Sequence, residues 1–472
     1  MLAPVALRLE QFLARERDAV LRALDAWLRI PSISVDPSRA RDVRASAEWC
    51  ADRMTSTGLE HVALLETDGH PSVYGDWLHA PGAPTVVVYG HHDVQPVEPL
   101  EEWVSPPFEP TVRDGQLFAR GAVDDKGQVL YHLEALRGMF EIGDGSLPVN
   151  VKLLVEGEEE IGSVHFDALL ARERERLACD AVVVSDTGML APDVPSMCTG
   201  MRGLVQLAVE LRTAATDLHS GSYGGAVLNA AHVAAELIAA LHDDEQRVTI
   251  PGFYDDVRPL TARERAMLAA VPFDERAFLR DAGTTRLVGE AGMSTLERIW
   301  ARPTAEVVAL QSGWSPSGAR TIVPAVAQFL LTCRLVADQQ PDRILDACEA
   351  WVRARVPDGV DVRCTRQGAV APALTPVDHP AVTAAAAAIE RVWGRAPLYT
   401  REGGSGPEEA LGRVLDAPVV FLGVGLPDDG IHGPNERIVL DQLWRGVLAA
   451  GELWDELAAS ETATTESVGR KR

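Results

Sequence analysis

The sequence predicts an α/β protein: a mostly parallel sheet with helices on both faces, interrupted by an inserted α+β domain. Three observations lead there. Up to about residue 186, short β-branched runs alternate with amphipathic helical stretches. Near residue 200 the pattern changes to strict alternation, as in an antiparallel sheet with one wet face. At about residue 375 the first pattern returns. The 472 residues also exceed what one core usually serves. The domains are therefore read as 1–200 and 375–472 for the two parts of the first, and 201–374 for the insertion.

Residues 5–29 carry apolar side chains at helical spacing (Leu9, Phe12, Leu13, Val20, Leu24, Leu28) and stop at Pro31. A second helix is expected over 38–57, then strands near 62–65 and 72–78. Val86-Val87-Val88-Tyr89, bounded by Pro84 and Gly90, reads as a buried strand ending in His91-His92-Asp93. Successive side chains alternate faces, so His91 and Asp93 point one way and His92 the other. Residues 94–112 read as a surface loop and Asp124 to Phe140 as a helix. The strand Val149 to Val155 runs into Glu156-Gly-Glu-Glu-Glu160, and Ala181 to Asp186 forms another.

In the insertion, 204–211 and 325–335 alternate as strands, 226–241 and 341–354 are helical, and 359–365 is a strand. Residues 250–302 read as a helical excursion. A helix over 379–393, a strand over 417–422 and a helix over 438–458 close the chain, and its last dozen polar residues are expected to be disordered.

Composition excludes several classes. The chain is 46% hydrophobic and 24% charged, without an apolar run long enough for a bilayer. Its net charge of −25 leaves no basic stripe for a nucleic acid. Arg8 and Glu10 interrupt the apolar run that a signal peptide needs, so a cytoplasmic protein is expected. The six cysteines show no C-x-x-C spacing, so any metal must use nitrogen and oxygen ligands.

Polar residues gather where parallel strands end, the edge at which such sheets bind ligands. His91, Asp124, Glu160, Asp186 and His432 line up there: two imidazoles and three carboxylates, a donor set for two borderline divalent ions sharing one carboxylate. Each has a plainer reading. Asp124 could cap a helix, Glu158-Glu159-Glu160 could be a solvated face, Asp186 a turn residue and His432 a loop histidine. Together, without a cation, they would repel one another near a buried edge.

Tyr89-Gly-His-His-Asp-Val-Gln-Pro96, Arg120-Gly-Ala-Val-Asp-Asp-Lys-Gly127, Glu156-Gly-Glu-Glu-Glu-Ile-Gly-Ser163, Val184-Ser-Asp186 and Asp428-Asp-Gly-Ile-His432 together resemble the co-catalytic dinuclear metallopeptidases. That group includes carnosinases, aminoacylases, acetylornithine deacetylases and succinyl-diaminopimelate desuccinylases. The likeness is strongest to the carnosinase and cytosolic non-specific dipeptidase branch and runs from about residue 25 to 455. Leu218-His-Ser-Gly-Ser-Tyr-Gly-Gly225, Ser317-Gly-Ala-Arg-Thr-Ile-Val-Pro324 and Thr400-Arg-Glu-Gly-Gly-Ser405 also resemble that branch.

The resemblance implies the dinuclear zinc-peptidase fold with an inserted lid and dimerisation domain, and a homodimer. It implies two divalent ions per subunit, zinc first, with manganese or cobalt as alternatives. Asp124 would bridge them, preceding a cis peptide bond to Asp125. His91 and Asp186 would complete one ion, and Glu160 and His432 the other. Asp93 would orient the His91 ring, and Glu159 would be the general base. His219, otherwise a turn histidine, would reach across the dimer to stabilise the oxyanion. Arg334, otherwise a surface charge, would receive the substrate carboxylate, with Thr321 and Ser405 as further contacts. The implied reaction is hydrolysis of dipeptides or short peptides with a free carboxyl end. The alternative is removal of an acyl group from an N-acyl amino acid at the same site, and a silent binding homologue is a remote third. His92 departs from the pattern, since an aromatic residue is expected after the ligand histidine.

Overall fold

The computed structural model describes residues 4–313, 320–404 and 406–469, with side chains up to residue 459 in the last segment. The chain forms two compact units: Met1–Thr199 with Thr375–Thr400 and Gly406–Arg472, and Gly200–Leu374 with Arg401–Ser405.

The first unit is built on a six-stranded sheet. Its order is Glu60–Leu65, Ser72–Trp77, Asn150–Glu156, Thr85–His91, Ala181–Val184, Val419–Phe421. Thr85–His91 pairs in parallel with both neighbours, and Ala181–Val184 pairs in parallel with Val419–Phe421. The two outer strands on the other side run antiparallel. Asn150–Glu156 is buried at every position, as expected for a strand covered on both faces. Parallel pairing brings strand ends to one edge: His91 lies opposite Glu156, and Tyr89 opposite Val184.

The helices Val5–Leu28, Lys126–Ile142, Pro380–Trp393 and Leu440–Gly469 share one core with this sheet. Val5–Leu28 buries Leu9, Leu13, Val20, Leu24 and Trp27, its i, i+3/i+4 face. Each fully buried aliphatic or aromatic side chain contributes about 1.5–3 kcal/mol. Gly138 and Gly451 allow the close approach of three helices, because a Cβ on either would fall within 2.5 Å of Leu9. Trp27 stacks on Trp49 with ring centroids 4.6 Å apart and donates its indole N–H to Ser46 Oγ at 2.9 Å. Its one polar atom is thereby satisfied inside the core.

The second unit carries a four-stranded antiparallel sheet in the order Thr304–Ser312, Val326–Leu335, Gly203–Arg212, Asp361–Val370. Val205, Leu207, Val209 and Leu211 alternate onto one face, where Leu237, Trp351 and Val352 from Ala230–Ala239 and Pro341–Arg355 cover them. In the excursion between, Thr261 with Glu264 and Ser294 with Glu297 form capping boxes that start short helices.

The structure departs from the sequence reading at several places, and also adds the short strands Ser196–Met201 and Leu398–Glu402 and the helix Glu408–Leu415. Strand Thr304–Ser312 was absent from that reading; a register irregularity between Val307 and Ala309 breaks the alternation that marks a strand. The third long helix starts at Lys126, so Asp124 and Asp125 stand before it in the preceding loop. The last helix continues to Gly469 where disorder was expected, with no proline or glycine to interrupt residues 458–468. Among the described residues, no helix is long and apolar enough to cross a membrane.

Candidate metal centre

His91 ends its strand fully buried. Its Nδ1 lies 3.1 Å from the Asp93 carbonyl oxygen and 3.4 Å from Asp93 Oδ1, which turns Nε2 the other way. The backbone N–H of His91 donates to Asp125 Oδ2 at 3.2 Å. Nε2 then faces Asp124 Oδ1 at 2.9 Å and Asp186 Oδ2 at 3.6 Å. On the other side, His432 Nε2 lies 3.0 Å from Asp124 Oδ2 and 3.3 Å from Glu160 Oε2. Asp124 therefore presents one oxygen to each histidine. Its peptide bond to Asp125 is cis, as the resemblance implies.

Outer groups hold these side chains. The Asp93 carboxylate accepts the N–H of Glu159 at 3.3 Å and of Glu160 at 3.1 Å. Gln95 donates its backbone N–H to Glu160 Oε1 at 3.1 Å and its side-chain amide to Oε2 at 2.8 Å. Buried Glu436 accepts the N–H groups of Gly121, Val123 and Asp124 at 2.9–3.1 Å and the Arg120 guanidinium at 2.8 Å. Arg120 also donates to the carbonyls of Pro96 at 2.9 Å and His432 at 3.1 Å. One carboxylate thus fixes the Asp124 loop directly and the His432 loop through an arginine. Such outer partners set the orientation of ligands.

Sequence reasoning missed Gln95, Arg120 and Glu436. Gln95 and Arg120 lie inside motifs already singled out, whereas Glu436 is marked only by following His432. Asp93 was expected to orient the His91 ring; the shorter contact comes from its backbone oxygen, and its carboxylate also holds the Glu159–Glu160 backbone.

The site's electrostatics ask for positive charge. Burial, with Asp186, Glu160 and Asp124 nearby, holds the Glu159 carboxyl well above its ordinary value against the opposing pull of His91. Burial and Asp124 push Glu160 up to about 7. Burial would lower His91, but hydrogen bonds with Asp124, Asp186 and Asp93 hold its ring well above the usual imidazole value. Hydrogen bonds with Asp124 and Glu160 take His432 to about 10. A cation among these carboxylates reverses the penalty on their ionised forms.

Two groups converge with ligand atoms within 4.8 Å of one another: His91, Asp124 and Glu160; and His91, Glu159 and Asp186. The second takes Glu159 alongside His91 and Asp186. Nitrogen and oxygen donors of this kind suit borderline divalent ions. The donor sets of these two groups fit divalent cations.

His92 is buried on the far side, its Nε2 2.9 Å from the Pro71 carbonyl oxygen, and burial depresses its ring to about 4. In the second unit, exposed His219 lies on Leu218–His219, which pairs with Ile322–Val323. Ser220 donates its N–H to the Thr321 carbonyl at 2.9 Å, so His219 and Thr321 are close in that unit. Arg334 is half-buried on Val326–Leu335, opposite Leu204, and burial lowers its guanidinium from the ordinary value. Ser405 lies outside the described residues, as do residues 317–319 of the second-unit motif.

The profile of Peptidase family M20/M25/M40 matches residues 87–456. The chain belongs to this family. The M20 chain is a hydrolase of a family that includes metallodipeptidases, and it is 28% identical to the human Beta-Ala-His dipeptidase, covering 91% of this chain and 88% of that one. It is also 28% identical to the Cys-Gly metallodipeptidase dug1 of Schizosaccharomyces pombe, over 93% of this chain and 96% of the relative. Among solved structures it resembles the M20 family metallo-carboxypeptidase Sso-CP2 from Sulfolobus solfataricus, with a TM-score of 0.82 and 30% identity over 93% and 99% of the two chains. The mainly parallel sheet and the separate antiparallel sheet of this M20 chain match such structures.

Proposed function

We propose that the protein hydrolyses the amide bond of dipeptides or short peptides that end in a free carboxylate. The single observation that carries this reading is the Asp124 carboxylate, which offers one oxygen to His91 and the other to His432 at 2.9 and 3.0 Å. Its dipeptidase relatives over most of the chain support the substrate class. His91, Asp124 and Asp186 would hold one divalent ion, and Asp124, Glu160 and His432 the other, with zinc as the proposed metal. When bound, the pair would supply Lewis acidity to the scissile carbonyl and to water.

The chain's own groups perform the proton transfers. Glu159, whose carboxyl is poised above its ordinary value, accepts a proton from the attacking water and delivers it to the departing amine. Asp93 and Gln95 keep the turn bearing Glu159 and Glu160 fixed during that transfer. His219 is proposed to donate to the oxyanion from a partner subunit, which makes the working form a homodimer. Arg334 is proposed to receive the substrate carboxylate through its planar guanidinium, with Thr321 and Ser405 as further contacts. A cytoplasmic setting completes the proposal.

The test strips metal with a chelator, restores zinc, manganese or cobalt, and compares a dipeptide panel with longer peptides and N-acyl amino acids. Turnover of dipeptides is expected; turnover of N-acyl amino acids alone would make the protein a deacylase. Glu159→Ala should lower kcat by about 10²–10⁴-fold while both ions stay bound. Loss of an ion from that variant would make Glu159 a ligand instead of a base.

A further inference from the structure

The carboxylate next to the proposed base has no part in the mechanism above. Glu158 is buried at 5% exposure immediately before the turn Glu159–Ile161, contrary to a solvated acidic face. Its Oε1 accepts the backbone N–H of His70 at 3.1 Å, and its Oε2 lies 2.8 Å from His165 Nδ1. Its carbonyl oxygen accepts the N–H groups of Ile161 at 3.2 Å and Ser163 at 2.8 Å, closing the turn from behind.

The segment that meets it is itself braced. Thr67 Oγ1 donates to the His70 carbonyl at 2.8 Å and accepts the Gly69 N–H at 3.0 Å. His70 Nε2 lies 3.0 Å from the Ser34 carbonyl oxygen. A side chain at Gly69 would push Glu158 out of place: a Cβ there would stand 1.8 Å from Glu158 Oε1. Asp93 already holds the N–H groups of Glu159 and Glu160. The turn is thus gripped at its front by Asp93 and at its back by Glu158.

We propose that Glu158, clamped between the 67–70 segment and His165, is the positioning residue that fixes the turn from which Glu159 and Glu160 project. The inference rests on the reading of Glu159 as base and Glu160 as ligand. A buried carboxylate is tolerated only with partners, and here those partners transmit the position of two separate loops to the turn. A shift of about 1 Å in a catalytic group can cost roughly 10²-fold, and losing an outer partner of a metal ligand costs about 10–100-fold.

The experiment compares Glu158→Ala, Glu158→Gln and Gly69→Ala in the full chain. Kinetics on a dipeptide are read alongside calorimetric titration of cobalt into chelator-stripped protein. Glu158→Ala should lower kcat about 10–100-fold with KM within about twofold, and weaken the looser of the two cobalt sites about tenfold. Glutamine keeps an oxygen for His70 and an amide for His165, so Glu158→Gln should recover kcat to within about threefold. Gly69→Ala should reproduce the alanine phenotype with Glu158 still in place, which also covers a Glu158→Ala chain that fails to fold.

A fall in melting temperature with kcat and cobalt affinity unchanged in Glu158→Ala or Gly69→Ala overturns the proposal, as does a glutamine variant no better than alanine. A wild-type chain that binds two cobalt ions yet cleaves no dipeptide sinks the functional reading instead. The cobalt titration then judges the clamp alone.

Discussion

The two histidines of the centre meet one carboxylate from opposite surroundings. His91 ends a central strand, with its side chain wholly out of solvent, its ring held by Asp93 and its backbone by Asp125. His432 stands in a loop at φ 61°, a left-handed conformation uncommon outside glycine, with 56% of its side chain exposed. The hydrogen bond that reaches its own backbone comes from Arg120, which is in turn held by Glu436. One side of the centre is therefore set by the packing of the sheet, the other by a chain of charged contacts. A single site can thus be half scaffold and half tether, and its halves need not fail together.

The largest effect should come from removing what the halves share. Asp124→Ala is expected to abolish peptide hydrolysis and leave neither ion bound, as measured by metal content after gel filtration. A variant still carrying two ions would dissolve the link between the sides. Smaller and unequal effects should separate them. His432→Ala should lose one ion, keep the other and unfold at nearly the wild-type temperature. His91→Ala should lose both and melt lower, because it opens a cavity in the core and strips Asp93 of its partner. Equal metal loss in the two variants would erase the distinction between the two halves.

The smallest effect concerns acid. Buried His132 lies below the His91 side, its Nε2 2.6 Å from Ser185 Oγ, the residue before Asp186. Burial depresses its ring from the ordinary 6.5 to about 3. The unfolded chain takes up that proton first, so the contribution is complete above about pH 6.5 and drains away as pH falls toward 3, by at most about 1.4 kcal/mol per pH unit. The acid limb of a melting-temperature profile should accordingly be shallower in His132→Leu. An unchanged limb would place the acid sensitivity elsewhere.

The same contrast explains which parts of the site are legible in the sequence. His91, Glu160 and Asp186 stand at or just after the ends of apolar runs, a local pattern that burial imposes on sequence. The first-unit sheet was legible for the same reason. Gln95, Arg120 and Glu158 lie inside recognisable motifs and Glu436 just after one, but those motifs do not announce the contacts with distant residues through which these side chains act. Gln95 reaches Glu160, 65 positions away, and Glu436 reaches Asp124 across 312. Strand Thr304–Ser312 escaped because its irregular register hides the period of two. Arg334, in contrast, was singled out by resemblance alone, since an arginine on a strand carries no signal of its own.

Glu436 also bears on the order in which the molecule can be made. A ribosome that has released residues 1–400 has delivered His91, Asp124, Glu160 and Asp186, but neither Glu436 to tie down the Asp124 loop nor His432 to face its second oxygen. Until those residues follow, the growing chain holds an incomplete nest of acids. On the proposed reading, completion of the site must wait until residues 432–436 have emerged.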